Sequence, residues 1–194
     1  MDRHISKERR VPNSDRDRLV VITGGPGAGK TTLIEALAAA GHAVMPEAGR
    51  AVIRAELAAG GSGLPWQNRT RFAELMVEAD LRSHQAALAL PGTVFFDRGL
   101  VDIAAYLELC GLPVPGALSF AIERCRYRET VFIAPHWPEI YRQDAERKQD
   151  LAEARRTFER MASIYPRHGY RLLELPRAAV AERVAFVQAS LGLG

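Results

Sequence analysis

Cysteine is scarce: the chain has two, Cys110 and Cys125, among 194 residues. They lack metal-site spacing and make no disulfide framework. Both fall on apolar helical faces and read as buried free thiols. Long hydrophobic runs are also missing. No stretch approaches the about 20 apolar residues that cross a bilayer, and no secretory signal is present. The expectation is a cytoplasmic protein in a reducing compartment, with no membrane partner. Charge of one sign is not in excess either. Lys and Arg number 26 against 23 Asp and Glu, a net charge of +3. That balance suits a small anionic ligand and gives no separate signal for nucleic acid. There is no internal repeat and no low-complexity tract.

What is present is concentrated in one stretch. Gly24, Gly25, Pro26, Gly27, Ala28, Gly29, Lys30, Thr31 and Thr32 fit G-x-x-x-x-G-K-[ST], a phosphate-binding loop. Residues 18–23 precede it with a β-branched apolar run that predicts a buried strand. Leu33, Ile34 and Leu37 follow at helical spacing, and Gly41 stands where a helix stops. Strand, glycine loop and helix are the context this motif needs. Its glycines let successive N–H groups turn toward phosphates at a helix N-terminus, whose dipole favours anions. Lys30 is then the candidate for the β- and γ-phosphates, and the Thr31 hydroxyl for Mg²⁺. Gly25 to Thr32 form the expected ATP-binding segment.

The rest of the chain alternates. Ala43 to Met45 read as a second strand, ending at Pro46, Glu47 and Arg50. Ala51 to Ala59 can be helical, and Gly60 to Gly63 break it. Pro65 is read as starting the next helix, striped by Phe72, Leu75, Met76 and Ala79, with Trp66, Arg69 and Arg71 near its beginning. Thr93 to Phe96 form an apolar third strand ending in Asp97 and Arg98. An apolar strand closed by an aspartate is the pattern that holds Mg²⁺. Residues 131–134 and 171–176 read as strands four and five, and Val180 onward as a closing helix. Residues 141–150 are densely charged and follow strand four, where a lid would cover a nucleotide. Arg142, Arg147 and Lys148 are therefore candidates to meet charge on a transferring phosphoryl group. Residues 1–17 read as a charged tail and 18–194 as one domain, an α/β three-layer sandwich on a mostly parallel sheet.

These motifs together resemble the AAA-domain P-loop proteins related to nicotinamide-ribonucleoside kinase. More loosely, the chain is similar to deoxynucleoside and thymidylate kinases. The resemblance implies a five-stranded parallel sheet in the order 2-3-1-4-5, with a helical lid. It also implies Glu47 as base, Asp97 with Arg98 at the end of strand three, and Arg142 or Arg147 as the closing lid arginine.

Two function classes follow. The first is a kinase that moves the γ-phosphoryl group of ATP to a nucleoside, nucleotide or related ribosyl compound. Arg50, Trp66, Arg69 and Arg71 would line its acceptor pocket. The second is a P-loop ATPase or nucleotide switch acting on a protein partner. No Asn-Lys-x-Asp motif is present to read guanine, so ATP is the expected nucleotide.

Overall fold

Strand residues alternate sides, and the layers follow from that. The computed structural model describes residues 15–140 and 151–193. In β1 (Leu19–Gly24), Leu19 and Val21 enter one apolar cluster while Val20 and Ile22 enter another. The third and fourth strands in sequence divide in the same way. Val94 and Phe96 of β3 (Val94–Asp97) lie opposite Phe95, and Val131 and Ile133 of β4 (Thr130–Ala134) lie opposite Phe132 and Ala134. Strands buried on both faces need helices on both faces. The first cluster is closed by α2 (Ala48–Ala59), α3 (Arg69–Leu88), α4 (Leu100–Leu109), α5 (Gly116–Arg124) and α6 (Leu151–Arg167). The second is closed by α1 (Lys30–Ala39) and α7 (Val180–Leu191).

With β2 (Ala43–Met45) and β5 (Arg171–Glu174), the sheet has five strands in the order β2-β3-β1-β4-β5. Every pairing is parallel. This is the order the resemblance implied. β1 is central: the chain builds β2 and β3 on one side of it, then crosses to β4 and β5 on the other. Ligands of such sheets bind beyond the carboxyl ends of the strands at that divide.

Several local expectations are corrected. The helix expected from Pro65 starts at Arg69, because the Asn68 side chain caps it by accepting from the Arg71 amide at 3.0 Å. Residues before it turn on Leu64, whose carbonyl accepts from both Gln67 and Asn68. α2 starts earlier than expected, at Ala48. Arg18 is not strand: Asp15–Arg18 form a single 3₁₀ turn. Its guanidinium donates to the carbonyls of Leu88, at 2.6 Å, and Leu90, tying the end of α3 to the start of β1. The two cysteines are half-buried and free; each is the C-cap of its helix, and Cys125 packs against the first cluster. Arg142, Arg147 and Lys148 lie outside the described residues. Among the described residues no helix is long and apolar enough to cross a membrane.

Candidate functional site

The glycine loop is shaped by contacts on two sides. Gly29 has φ 72° and is the N-cap of α1, so no side chain caps that helix and no acid stands in its first turn. Uncapped N–H groups and an unopposed dipole make an anion site. Gly25 is fixed by packing: a Cβ there would sit 2.5 Å from the Ala154 carbonyl oxygen on α6. Lys30 is buried, and its Nζ donates to the Gly25 carbonyl at 2.6 Å. Thr31 and Thr32 are exposed. Behind the loop, Arg183 of α7 donates to the Ala28 and Gly29 carbonyls, each at 3.3 Å. Only 2% of Arg183 is exposed, its Nε has no hydrogen-bond partner, and burial holds its pKa below the usual guanidinium value.

The strand ends bring three acidic residues and an arginine beside this loop. Asp97 closes β3 in register with Ile22, is buried, and has one carboxylate oxygen, Oδ1, with no partner. Arg98 follows with φ 72°, the one positive φ outside glycine among the described residues. That conformation costs about 1–2 kcal/mol for an L-residue. It lets one residue serve three partners. The Arg98 amide donates to the Ile22 carbonyl at 3.0 Å, Nε to Glu47 Oε1 at 3.2 Å, and Nη1 to Asp102 Oδ1 at 2.9 Å. Glu47, buried at the N-cap of α2, also accepts from Arg50 Nε at 3.2 Å. Asp102 is held still more completely. Besides Arg98, it accepts from Thr23 Oγ1 at 2.6 Å, the Gly99 amide at 3.1 Å and the Tyr165 hydroxyl at 2.5 Å. Burial, then the charge of Asp102, raises Tyr165 well above the usual phenol range.

Glu47, Arg98 and Asp102 open on a cavity of about 370 Å³. Pro26 of the glycine loop is part of its wall, with Glu47, Asp80, Arg98 and Asp102 as polar lining. Phe72, Met76, Ile103 and Met161 supply an apolar wall. Trp66, 60% exposed, and the exposed Arg69 line it where it meets solvent. Of the residues the sequence suggested, Glu47, Arg98, Trp66 and Arg69 are thus gathered around one space. Arg50 reaches that space through Glu47. Arg71 lies apart, its guanidinium paired with Glu74 at 3.1 Å and Glu78 at 3.7 Å on an exposed face.

A second cavity of about 480 Å³ is walled by Gly29, Thr32, Trp137, Ile140, Arg177 and Arg183. The glycine loop therefore forms part of two cavities, with Pro26 in one and Gly29 in the other.

Sequence reasoning missed Asp80, Asp102, Tyr106 and Arg183. Asp80 had a readable signal: it continues the buried series Phe72, Met76 at four-residue steps. Asp102 had one as well, since it stands three residues past the N-cap Gly99 and bonds its amide.

Comparisons with known proteins concern the family and the fold. A family described as AAA domain matches residues 19–183. No curated protein matches the chain. Among solved structures, NadR protein in complex with NR superposes with a TM-score of 0.66 at 15% identity, over 92% of this chain and 53% of that one. This chain thus spans about half the length of NadR. Deoxyadenosine kinase from M. mycoides superposes with a TM-score of 0.66 at 13% identity, over 90% of this chain and 98% of that one. Thymidylate kinase from Ehrlichia chaffeensis gives 0.60 at 15% identity, over 91% and 98%. At these identities the likeness is one of fold.

Proposed function

The chain belongs to the AAA-domain family, and on that premise we propose that it is an ATP-dependent kinase for a small hydroxyl compound, of nucleoside or related ribosyl type. The observation that carries the reading is the glycine loop between two cavities, one walled by Glu47 and Arg98. A loop that binds phosphates, with room on either side, suits a donor nucleotide in one cavity and an acceptor in the other. The neighbours of like fold include a deoxyadenosine kinase, a thymidylate kinase and a shikimate kinase.

Phosphoryl transfer asks the protein for position and charge rather than covalent chemistry. In this proposal the amides of the glycine loop and Lys30 hold the β- and γ-phosphates. Glu47 accepts the acceptor's hydroxyl proton. The oxygen so released bonds to the γ-phosphorus while the bond to the β–γ bridging oxygen breaks, and ADP leaves with that electron pair. Arg98 offers positive charge beside the new bond, and Trp66 offers an aromatic face to a planar acceptor. The donor set fits Mg²⁺: Asp97 has a buried oxygen without a partner, and Thr31 has an exposed hydroxyl at the head of α1. Asp97 and Thr31 would hold the ion, which would neutralise phosphate charge. Among the described residues no three His, Cys, Asp or Glu side chains are placed to hold a metal ion together, so the nucleotide itself would supply the remaining ligands.

Titration calorimetry with a non-hydrolysable ATP analogue and Mg²⁺ tests the nucleotide half of the reading. Lys30→Ala should weaken binding by tenfold or more and abolish turnover. Native turnover in that variant would remove the proposal.

A further inference from the structure

The cavity beside Glu47 contains one carboxyl that the surrounding structure leaves unanswered. Glu47 is met by Arg98 and Arg50, and Asp102 by Arg98, Thr23, Gly99 and Tyr165. Two carboxylates thus face two guanidiniums. Asp80 faces none. It is 4% exposed, it lines the cavity, and among the described residues neither a hydrogen bond nor an ion pair reaches it. A carboxyl so deeply buried and unpartnered is costly unless something outside the chain completes it. The buried Tyr106 hydroxyl lines the same cavity and also has no hydrogen bond. Around them the wall is apolar, with Phe72, Met76 and Ile103 in contact with the same space.

We infer that Asp80 is a specificity-determining residue of the acceptor site. Its carboxyl reads an N–H-bearing edge, amide or amino, on a planar acceptor, and it turns away acceptors that carry a phosphate or carboxylate there. This rests on the kinase reading above. The complement is chemical: a carboxyl matches an amide-type edge with two hydrogen bonds. Burial, assisted by the charge of Asp102, pushes Asp80 up to about 8. At neutral pH the group can therefore donate as well as accept. An anion in its place would meet the negative charge of Asp102. Two of the nitrogens of Arg98 are already committed, to Glu47 and Asp102. Trp66, exposed at the opening, suits the flat face of the same molecule.

The test uses the full chain with Mg²⁺ and γ-labelled ATP. The acceptor panel contains adenosine, cytidine, guanosine, uridine, thymidine, nicotinamide riboside and shikimate. Label should enter one or more nucleosides and not shikimate, which has a carboxylate and no N–H edge. Asp80→Leu should raise the KM for that nucleoside at least tenfold while the KM for ATP stays within twofold. Asp80→Asn restores a neutral hydrogen-bonding edge and should bring the acceptor KM back to within about threefold. Should Asp80→Leu not fold, Asp80→Ala gives the same reading. The inference is overturned if shikimate is labelled as efficiently as the nucleosides, or if the apolar variant keeps the native acceptor KM. Failure of the kinase reading looks different: ADP and free phosphate form and no acceptor is labelled, which overturns both.

Discussion

Arg98 Nε lies 3.2 Å from Glu47 Oε1, so the arginine that ends the third strand is held by the carboxylate that ends the second. The pair joins two adjacent strand ends of the sheet. It also fixes the orientation of Glu47, since Arg50 grips the other carboxylate oxygen. If Glu47 is the base of the proposed transfer, these contacts pre-orient it for a proton, and they also give it a share in stability.

Glu47→Gln keeps the shape and removes the charge. Loss of a general base should lower kcat by about a hundredfold to ten-thousandfold, with ATP affinity unchanged. The weakened hydrogen bonds to Arg98 and Arg50 should cost about 1–2 kcal/mol of stability. Steady-state kinetics and a denaturant curve on the one variant check both numbers. Lowered stability with native kcat would leave Glu47 as an ion-pair partner alone.

Asp102 is the buried junction of the site. It accepts from residues on β1, on the segment after β3 and on α6. Asp102→Ala should cost about 3–5 kcal/mol, because Arg98 and Thr23 lose a buried acceptor. In a chain of this size that lowers Tm by about 6–20 °C. Calorimetric melting measures it. A shift under about 2 °C would mean that these contacts carry little energy.

The strands were legible because their apolar residues announce burial directly, and the glycine loop because few sequences make one by chance. Trp66, Arg69, Glu47 and Arg98 were legible from the motifs around them. Asp80 and Asp102 were not, because periodicity weighs apolar residues and passes over a buried acid. The partners of Asp102 are also distant in the chain: Thr23 is 79 residues away and Tyr165 is 63. Arg183 meets Gly29 across 154 residues, a contact that no local pattern announces. The start of α3 was misplaced because Pro65 and Asn68 both carry helix-start chemistry, and the Asn68 side chain makes the cap.

Asp80 gives stability a pH dependence of known sign. Its carboxyl is raised from 3.8 to about 8 in the fold. Between those values the native protein keeps a proton that the unfolded chain has released. Stability from this group is complete below about pH 4 and is lost as pH rises through about 8. His84 and His168, both lowered by burial, act oppositely as pH falls through the ordinary histidine range. The clear window is therefore about pH 7–8, where unfolding free energy should fall by about 1 kcal/mol. Denaturant titrations at the two ends of that window measure it. Asp80→Asn should flatten the dependence, and an equal fall in that variant would assign it to another group.

The central claim is that the γ-phosphoryl group goes to an acceptor bound beside Glu47 and Arg98. The direct measurement is the fate of that group, followed by phosphorus NMR, with ADP counted against free phosphate. With a nucleoside that the protein accepts, the account predicts one phosphorylated acceptor for each ADP and almost no free phosphate. ADP matched one-to-one by free phosphate, with every acceptor unchanged, would contradict it.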